Sequence, residues 1–368
     1  MPSNALDYIT IQGFKSIASA EVPLRPINVV IGANGSGKSN FIGVFAFLRE
    51  IREGRLRRYV VEAGGAEKVL HFGSKQTKEI YIDLSFANGV NRYELKLGLT
   101  ADDGLYPYEE SAHLDGRVGS MDRDHTSFLS AVNGREAGIS NRDVIDVAKM
   151  VQDHLGSWRL YHLEETRPMR MTVEVDNNRF LQRDGGNLSA ILYYLREKHQ
   201  ASYDLIVRTV RRVAPFFDDF RLDPLQLKPD DIKLEWRHRG SEQYFDASSL
   251  SDGTLRFIAL ATLFLQPEEN RPSLIIVDEP ELGLHPYAIE ILAALVRQAS
   301  IATQVILATQ SSLLLDHFEP EDVLVADRVD GGTQLARLDS AQLAKWLEDY
   351  SLGQLWEKNE IGGRPVPA

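Results

Sequence analysis

Three short stretches combine residue types that phosphate and water chemistry needs. GANGSGKS, residues 32–39, fits the pattern G-x-x-x-x-G-K-[ST] between an apolar run and a helical one, the context of a loop that wraps phosphates. Gly32, Ala33, Asn34, Gly35, Ser36 and Gly37 offer backbone N–H groups with little bulk in the way, and the helix that follows points its positive end at an anion. Lys38 then reaches the outer phosphates, Ser39 offers a hydroxyl to Mg²⁺, and Asn40 belongs to the same nucleotide-binding set. LIIVDEPE, residues 274–281, is the matching second part. Its apolar residues bury a strand, and Asp278 emerges at the carboxyl end, where ligands bind in parallel sheets. Asp278 is placed to hold Mg²⁺ and Glu279 to accept a proton from an attacking water.

The third stretch, SSLSDGTLRF at 248–257, starts a helix oddly. Ser251 and Asp252 are ordinary N-cap types, but Gly253 in the first turn costs roughly 1 kcal/mol relative to Ala. A Ser-x-Gly at a helix start offers bare amides, a hydroxyl and a positive helix end to a second anion. By its place in the sequence it belongs to a different lobe from residues 32–39. It is therefore expected to face the γ-phosphate held by another copy, with Gly253 keeping the approach open. The plain alternative is a flexible N-cap.

The elements that must position these residues are legible in outline. Residues 7–12 and 27–32 read as strands and 39–53 as a helix. Asn88-Gly89, between alternating runs in 85–99, signals a hairpin. Residues 102–127 read as loops with short strands, 158–165 as a strand, 187–213 as one or two helices capped at Asn187, and 232–240 as a strand. From 250 onward, helix 254–265, strand 273–278, helix 286–299, strand 304–309, a short helix and strand 322–327 alternate, which predicts a mostly parallel sheet. The expected fold is α/β: a parallel core sheet flanked by helices, with an antiparallel β lobe and a helical lobe. The expected organisation is one head over 1–368, with a phosphate-loop and β lobe at 1–100, an inserted region at 101–245 and a last lobe at 246–368.

Composition narrows the class. The 368 residues are 43% hydrophobic and 26% charged, ordinary for a globular chain that buries a sizeable core. There are no cysteines, so disulfides, thiolate metal sites and cysteine nucleophiles are excluded, and a reducing cytosol fits. The N-terminus lacks a signal-peptide pattern. The longest apolar run, FIALATLFL at 257–265, is too short to span a bilayer. These features imply a cytoplasmic protein without a membrane partner. With a net charge of −12, any nucleic-acid contact must use a local basic patch.

Taken in order, GANGSGKS, LSDGT, IIVDEPE and ATQSS resemble the ATP-binding-cassette ATPases, and within them the soluble branch of RecF, the SMC proteins and the overcoming-lysogenization-defect (OLD) nucleases. YITIQGFKSI resembles that branch's opening strand, DEPE followed by LGLHP resembles its OLD-like subgroup, and the gap of about 213 residues from Lys38 to Ser251 exceeds what transporter subunits usually need. The resemblance implies ATP and Mg²⁺ as cofactors. It implies a homodimer closed head to tail over two ATP molecules, with Ser251, Asp252 and Gly253 acting in trans. It also implies Glu279 as general base and a subunit-contacting loop from Leu282 to His285. Gln310 falls where most relatives carry a switch histidine; a glutamine bonds phosphate or water but takes up no proton. Gln76 and Gln152 are candidates for the family's glutamine loop. Fewer than sixty residues follow Gln310, so the ATPase engine alone is expected, without a C-terminal nuclease domain. The implied outlet is DNA repair or anti-phage defence, with nucleic acid or a separate effector protein. A scaffold or sensor with little turnover and a transporter nucleotide-binding subunit are the alternatives.

Weaker signals remain. REIREGRLRR at 49–58 holds five arginines, either tracking a nucleic-acid backbone or decorating a solvated helix end; Arg208, Arg211 and Arg212 are similar. His71 and His162 lack a spaced partner set and read as ordinary polar or packed histidines. Arg256 reads equally as a phosphate contact or a brace.

Overall fold

A computed structural model describes residues 5–115, 125–141, 143–144 and 146–363. Packing divides the chain into two units, Met1–Trp158 with Glu319–Ala368, and Arg159–Phe318. The first begins with β1 (Leu6–Phe14), β2 (Ile17–Pro23), β3 (Ile27–Ile31), α1 (Lys38–Arg52) and α2 (Leu56–Glu62). It continues through β4 (Glu79–Phe86), β5 (Asn91–Leu99), β6 (Leu105–Leu114) and β7 (His125–Phe128) to α3 (Asp146–Ser157). The second unit runs β8 (Arg159–His162), β9 (Val173–Glu174), α4 (Leu188–Lys198), α5 (Gln200–Val213), β10 (Phe217–Arg221), β11 (Asp231–Ile232), β12 (Glu235–His238) and β13 (Tyr244–Asp246). It ends with α6 (Asp252–Leu265), β14 (Leu274–Asp278), α7 (Pro286–Ala299), β15 (Gln304–Thr309) and α8 (Ser312–Leu315). The chain then returns to the first unit with β16 (Val323–Val329), β17 (Gly332–Arg337), α9 (Ser340–Leu347) and α10 (Leu352–Glu357).

In the first unit, six strands pair antiparallel in the order β2-β1-β4-β5-β6-β7. The Asn88-Gly89 signal marks a real hairpin: Ala87, Asn88 and Gly89 all take positive φ, 54°, 59° and 83°, and β4 and β5 pair from Glu79↔Gly98 to Phe86↔Asn91. The polar stretch 102–127, expected as loops with short strands, contains the ten-residue strand β6; residues 116–124 lie outside the described residues. Pro107 lies within β6. It faces Leu97 where the register shifts, an irregularity that accommodates a residue unable to donate to the ladder. Glu110 of β6 points inward and is buried, accepting from Tyr93 Oη at 2.8 Å and from the Gly138 and Ile139 amides at 2.6 and 2.9 Å.

β3 is apolar but for one residue and buried throughout, the pattern of a strand covered on both faces. It pairs parallel with β16, and β17 pairs antiparallel with β16. In the second unit β14 pairs parallel with both β15 and β8, and β15 and the four apolar residues of β14 show the same continuous burial. The α/β architecture and the antiparallel β lobe are as expected; β3 with β16 and β14 with β15 and β8 pair parallel, and the antiparallel β17 makes the sheet around β3 mixed rather than wholly parallel. The alternation of strand and helix begins only near residue 250; the earlier strands follow one another through short turns, and such neighbours pair antiparallel.

Residues 187–213 form two helices that meet at His199. The Asn187 side chain does not cap α4 as expected. It accepts from the Gln182 amide at 2.8 Å and donates to the Asn177 and Phe180 carbonyls, both at 2.8 Å, tying the preceding loop together. The expected strand 158–165 is shorter, ending at His162, and 232–240 is split between β11 and β12. α6 is apolar around most of its circumference and buried from Leu255 to Leu265, the signature of an internal helix.

Candidate nucleotide and metal site

The phosphate loop links β3 to α1. Gly35 and Gly37 take φ of 80° and 108°, open to glycine and strained for other residues. A Cβ on Gly37 would also lie 1.9 Å from Thr333 Oγ1 of β17, so this glycine is required twice over. α1 starts at Lys38 with no side-chain cap and no acidic residue in its first turn, leaving its positive end available to an anion. Lys38 is buried and folds back, its Nζ donating to the Gly32 and Ala33 carbonyls at 2.6 and 3.0 Å. Ser36 Oγ is buried without a hydrogen-bond partner among the described residues. A bare helix end beside an orphaned hydroxyl fits the phosphates of a nucleotide. Asn34, Gly35 and Ser39 are exposed. Asn40 turns away, donating to Ser16 Oγ at 2.6 Å.

Residues remote in sequence hold this loop, and nothing in the motif announced them. Thr333 Oγ1 donates to Ser36 O at 2.9 Å, Arg328 to Gly35 O at 3.2 Å, and the Ala33 amide to Gly363 O at 2.6 Å.

The start of α6 is built differently. Ser251 caps it, accepting from the Thr254 amide at 3.2 Å. Asp252 bonds Thr166 Oγ1 and accepts from Arg170 Nη2 at 2.6 Å; these two donors hold its carboxyl below the usual range. A Cβ on Gly253 would lie 2.1 Å from Gly283 O. The glycine therefore has a reason inside the chain that the sequence did not suggest: the backbone after β14 packs directly on it. Arg256 resolves as a brace. Buried at 4% exposure, it donates to Leu163 O and Glu164 O at 2.7 Å each and to Leu282 O. Leu282 is exposed, and His285 caps α7 through Nδ1, which accepts from the Tyr287 amide.

Strand register assembles the acidic end. Asp278 lies opposite Ala308 of β15 and His162 of β8. His162 Nδ1 is 3.6 Å from Asp278 Oδ2, and with Glu164 the two offer ligand atoms that all lie within 4.8 Å of one another. The sequence shows no spaced partner set for His162; the structure brings Asp278 beside it from another part of the chain. Burial, assisted by Arg183, pushes its pKa down to about 4, so the ring is neutral near pH 7. One imidazole and two carboxylates form a donor set that fits a divalent cation. Glu279 takes φ of +44°, uncommon for a side-chain-bearing residue and frequent at functional positions. Its Oε1 accepts from Gln310 Nε2 at 2.6 Å. Glu281, unmarked by the sequence reading, is mostly buried. Its Oε1 accepts from Thr309 Oγ1 at 2.5 Å, its Oε2 has no partner among the described residues, and burial raises its pKa.

Several of the remaining candidates have partners within the chain. Gln152 is buried, donating to Ile139 O and Asn141 O at 2.8 Å each; Gln76 is exposed in a turn. His71 Nδ1 bonds Lys15 O at 2.8 Å. In the arginine-rich run Arg55 pairs with Glu50, Arg52 with Glu53 and Arg58 with Glu62, and Arg211 pairs with Asp218. Arg208 and Arg212 are exposed on α5. Among the described residues no helix is long and apolar enough to cross a membrane.

This arrangement has known relatives. The family model described as "AAA domain, putative AbiEii toxin, Type IV TA system" matches residues 27–316. The chain belongs to this family. It is an ATP-binding-cassette-type ATPase of the SMC, OLD and RecF branch. The "Old nuclease" of Escherichia phage P2 is 22% identical over 394 residues, covering 94% of this chain and 63% of that protein. The "Chromosome partition protein Smc" of Mycobacterium leprae (strain TN) is 27% identical over 267 residues, covering 69% of this chain and 19% of that one. The chain thus spans less than two thirds of either relative. The crystal structure of an SmcHead bound to the C-winged helix domain of ScpA shares the fold, with a TM-score of 0.57 at 15% identity over 92% of this chain and 99% of that one.

Proposed function

We propose that the chain is an ATP-binding and ATP-hydrolysing switch in which the whole chain serves as one head. Gly32 to Ser39 hold the phosphates, Lys38 swings from its carbonyl partners to the outer phosphates, and Ser39 with Asp278 holds Mg²⁺. Mg²⁺, when bound, neutralises charge on the phosphate oxygens. Glu279 accepts the proton of the attacking water. The observation that carries this reading is the Gln310–Glu279 hydrogen bond: the amide orients the carboxylate at the strand end without taking its proton. Two copies close head to tail, each supplying Ser251 and its helix end to the other's γ-phosphate. Closure follows binding because only the closed state adds those contacts, and hydrolysis removes them.

The outlet in this reading is DNA repair or anti-phage defence, acting on nucleic acid or through a separate effector. The SMC-head and Old-nuclease relatives support it by analogy. Gln310 favours a second reading, a sensor with little turnover, because an amide does not relay protons as a histidine does. Phosphate release and sedimentation of wild type and Glu279→Gln, with double-stranded DNA, single-stranded DNA, RNA and no addition, test both. The variant is expected to bind ATP, to slow hydrolysis by about 10²–10⁴-fold and to accumulate dimers. ATP-loaded variant that sediments only as monomer sinks the switch.

A further inference from the structure

We propose that His162, Glu164 and Asp278 coordinate a first-row transition-metal divalent cation such as Mn²⁺ directly, and that His162 thereby sets which ion the strand-end site prefers. The proposal rests on Asp278 being a metal-holding residue, and adds an imidazole ligand and an ion preference to it.

The geometry comes from two parallel strands. β8 and β14 pair so that His162 stands opposite Asp278, and the bend that follows the end of β8 carries Glu164 to within reach of both. An ion with bonds of about 2.0–2.2 Å separates opposite ligands by roughly 4.2 Å. The three ligand atoms already lie within 4.8 Å, so a small rotation of exposed Glu164 closes the set. The main chain beneath is pinned: Arg256 holds the Leu163 and Glu164 carbonyls, and the His162 amide donates to Arg183 O at 2.9 Å. A cavity of about 580 Å³, lined by His162, Glu164, Gln182, Arg183 and Asp184, opens onto two of the three ligands and provides an entry path. Arg183 on its wall opposes a cation; Asp184 and the two ligand carboxylates outweigh it.

The donor types decide the ion. Mg²⁺ takes oxygen ligands and keeps its waters, whereas an imidazole nitrogen suits transition ions. One nitrogen and two carboxylates therefore favour Mn²⁺ or its neighbours over Mg²⁺.

Mn²⁺ titration without nucleotide, followed by electron paramagnetic resonance, tests this on the wild type, His162→Gln, Glu164→Gln and Lys38→Ala. The wild type is expected to take Mn²⁺ at least about tenfold more tightly than competing Mg²⁺. His162→Gln narrows that ratio, and Glu164→Gln, altered only at an exposed side chain, weakens Mn²⁺ about tenfold. Lys38→Ala keeps Mn²⁺ affinity while losing ATP in a separate binding assay. Equal wild-type affinity for the two ions, or an unchanged ratio in a folded His162→Gln, overturns the proposal and leaves the ATP reading standing. Mn²⁺ binding by a wild type that fails to bind ATP sinks the ATP reading alone.

Discussion

The starts of α1 and α6 carry the same expectation, contact with a phosphate, and meet it with opposite chemistry. α1 begins after a glycine, without a cap or a first-turn acid, and an orphaned Ser36 hydroxyl sits beside it. α6 is complete within its own unit: Ser251 satisfies the Thr254 amide, Asp252 places a carboxylate on the positive end, and Arg170 and Thr166 hold that carboxylate. A helix end left unsatisfied is a binding site waiting for its anion. A helix end already satisfied gives up internal bonds before it engages an anion from outside. Under the proposed function, this contrast predicts that α1 binds nucleotide in a single copy and that α6 contributes only when a second copy adds further contacts.

The largest expected effect lies at α1. Lys38→Ala removes a charge-assisted contact and should weaken binding of a fluorescent ATP analogue by about 10²-fold, with Ser251→Ala binding as wild type in dilute solution. Equal losses in the two variants would erase the contrast. Next comes Gly253→Ala, whose added methyl collides with Gly283 O and should cost about 1–3 kcal/mol of stability in urea melts without ATP. A variant as stable as wild type shows that the Gly283 backbone yields easily. Ser251→Ala should cost about 1 kcal/mol through loss of the cap. Ser251→Arg should leave single-copy ATP binding intact and abolish ATP-dependent self-association; an unimpaired dimer removes α6 from the ATP site.

The smallest effect is set by pH. His162 is depressed from 6.5 to about 4 in the folded state, so between those values the unfolded chain binds more protons, and stability falls as pH drops through that window. His162→Gln should flatten this part of the profile of melting midpoint against pH; an unchanged slope assigns it to other groups, with buried His154, also depressed by burial, the first to substitute.

Legibility tracked the distance in sequence over which a feature is built. The hairpin at Asn88-Gly89, helix α7 and strand β15 appear where the sequence places them, since turn chemistry and apolar periodicity act over a few residues. β6 is longer than the short strands expected over 102–127 because Pro107 and two glutamates mask its alternation, and only pairing with β5 shows where the bulge accommodates the proline. Gly253 was noticed for the right reason, its cost, yet the neighbour that demands it is Gly283.

The loop at 32–39 stands out without tertiary information: eight contiguous residues encode the backbone freedom, the amides and the charge that an anion site requires. Tertiary structure decided what surrounds it and the acidic strand end. Thr333 fills the space over Gly37, Gln310 reaches Glu279, and register sets His162 against Asp278. None of these pairs shares a local pattern, because sheet pairing and core packing join segments whose own sequences carry no record of the partner they will meet.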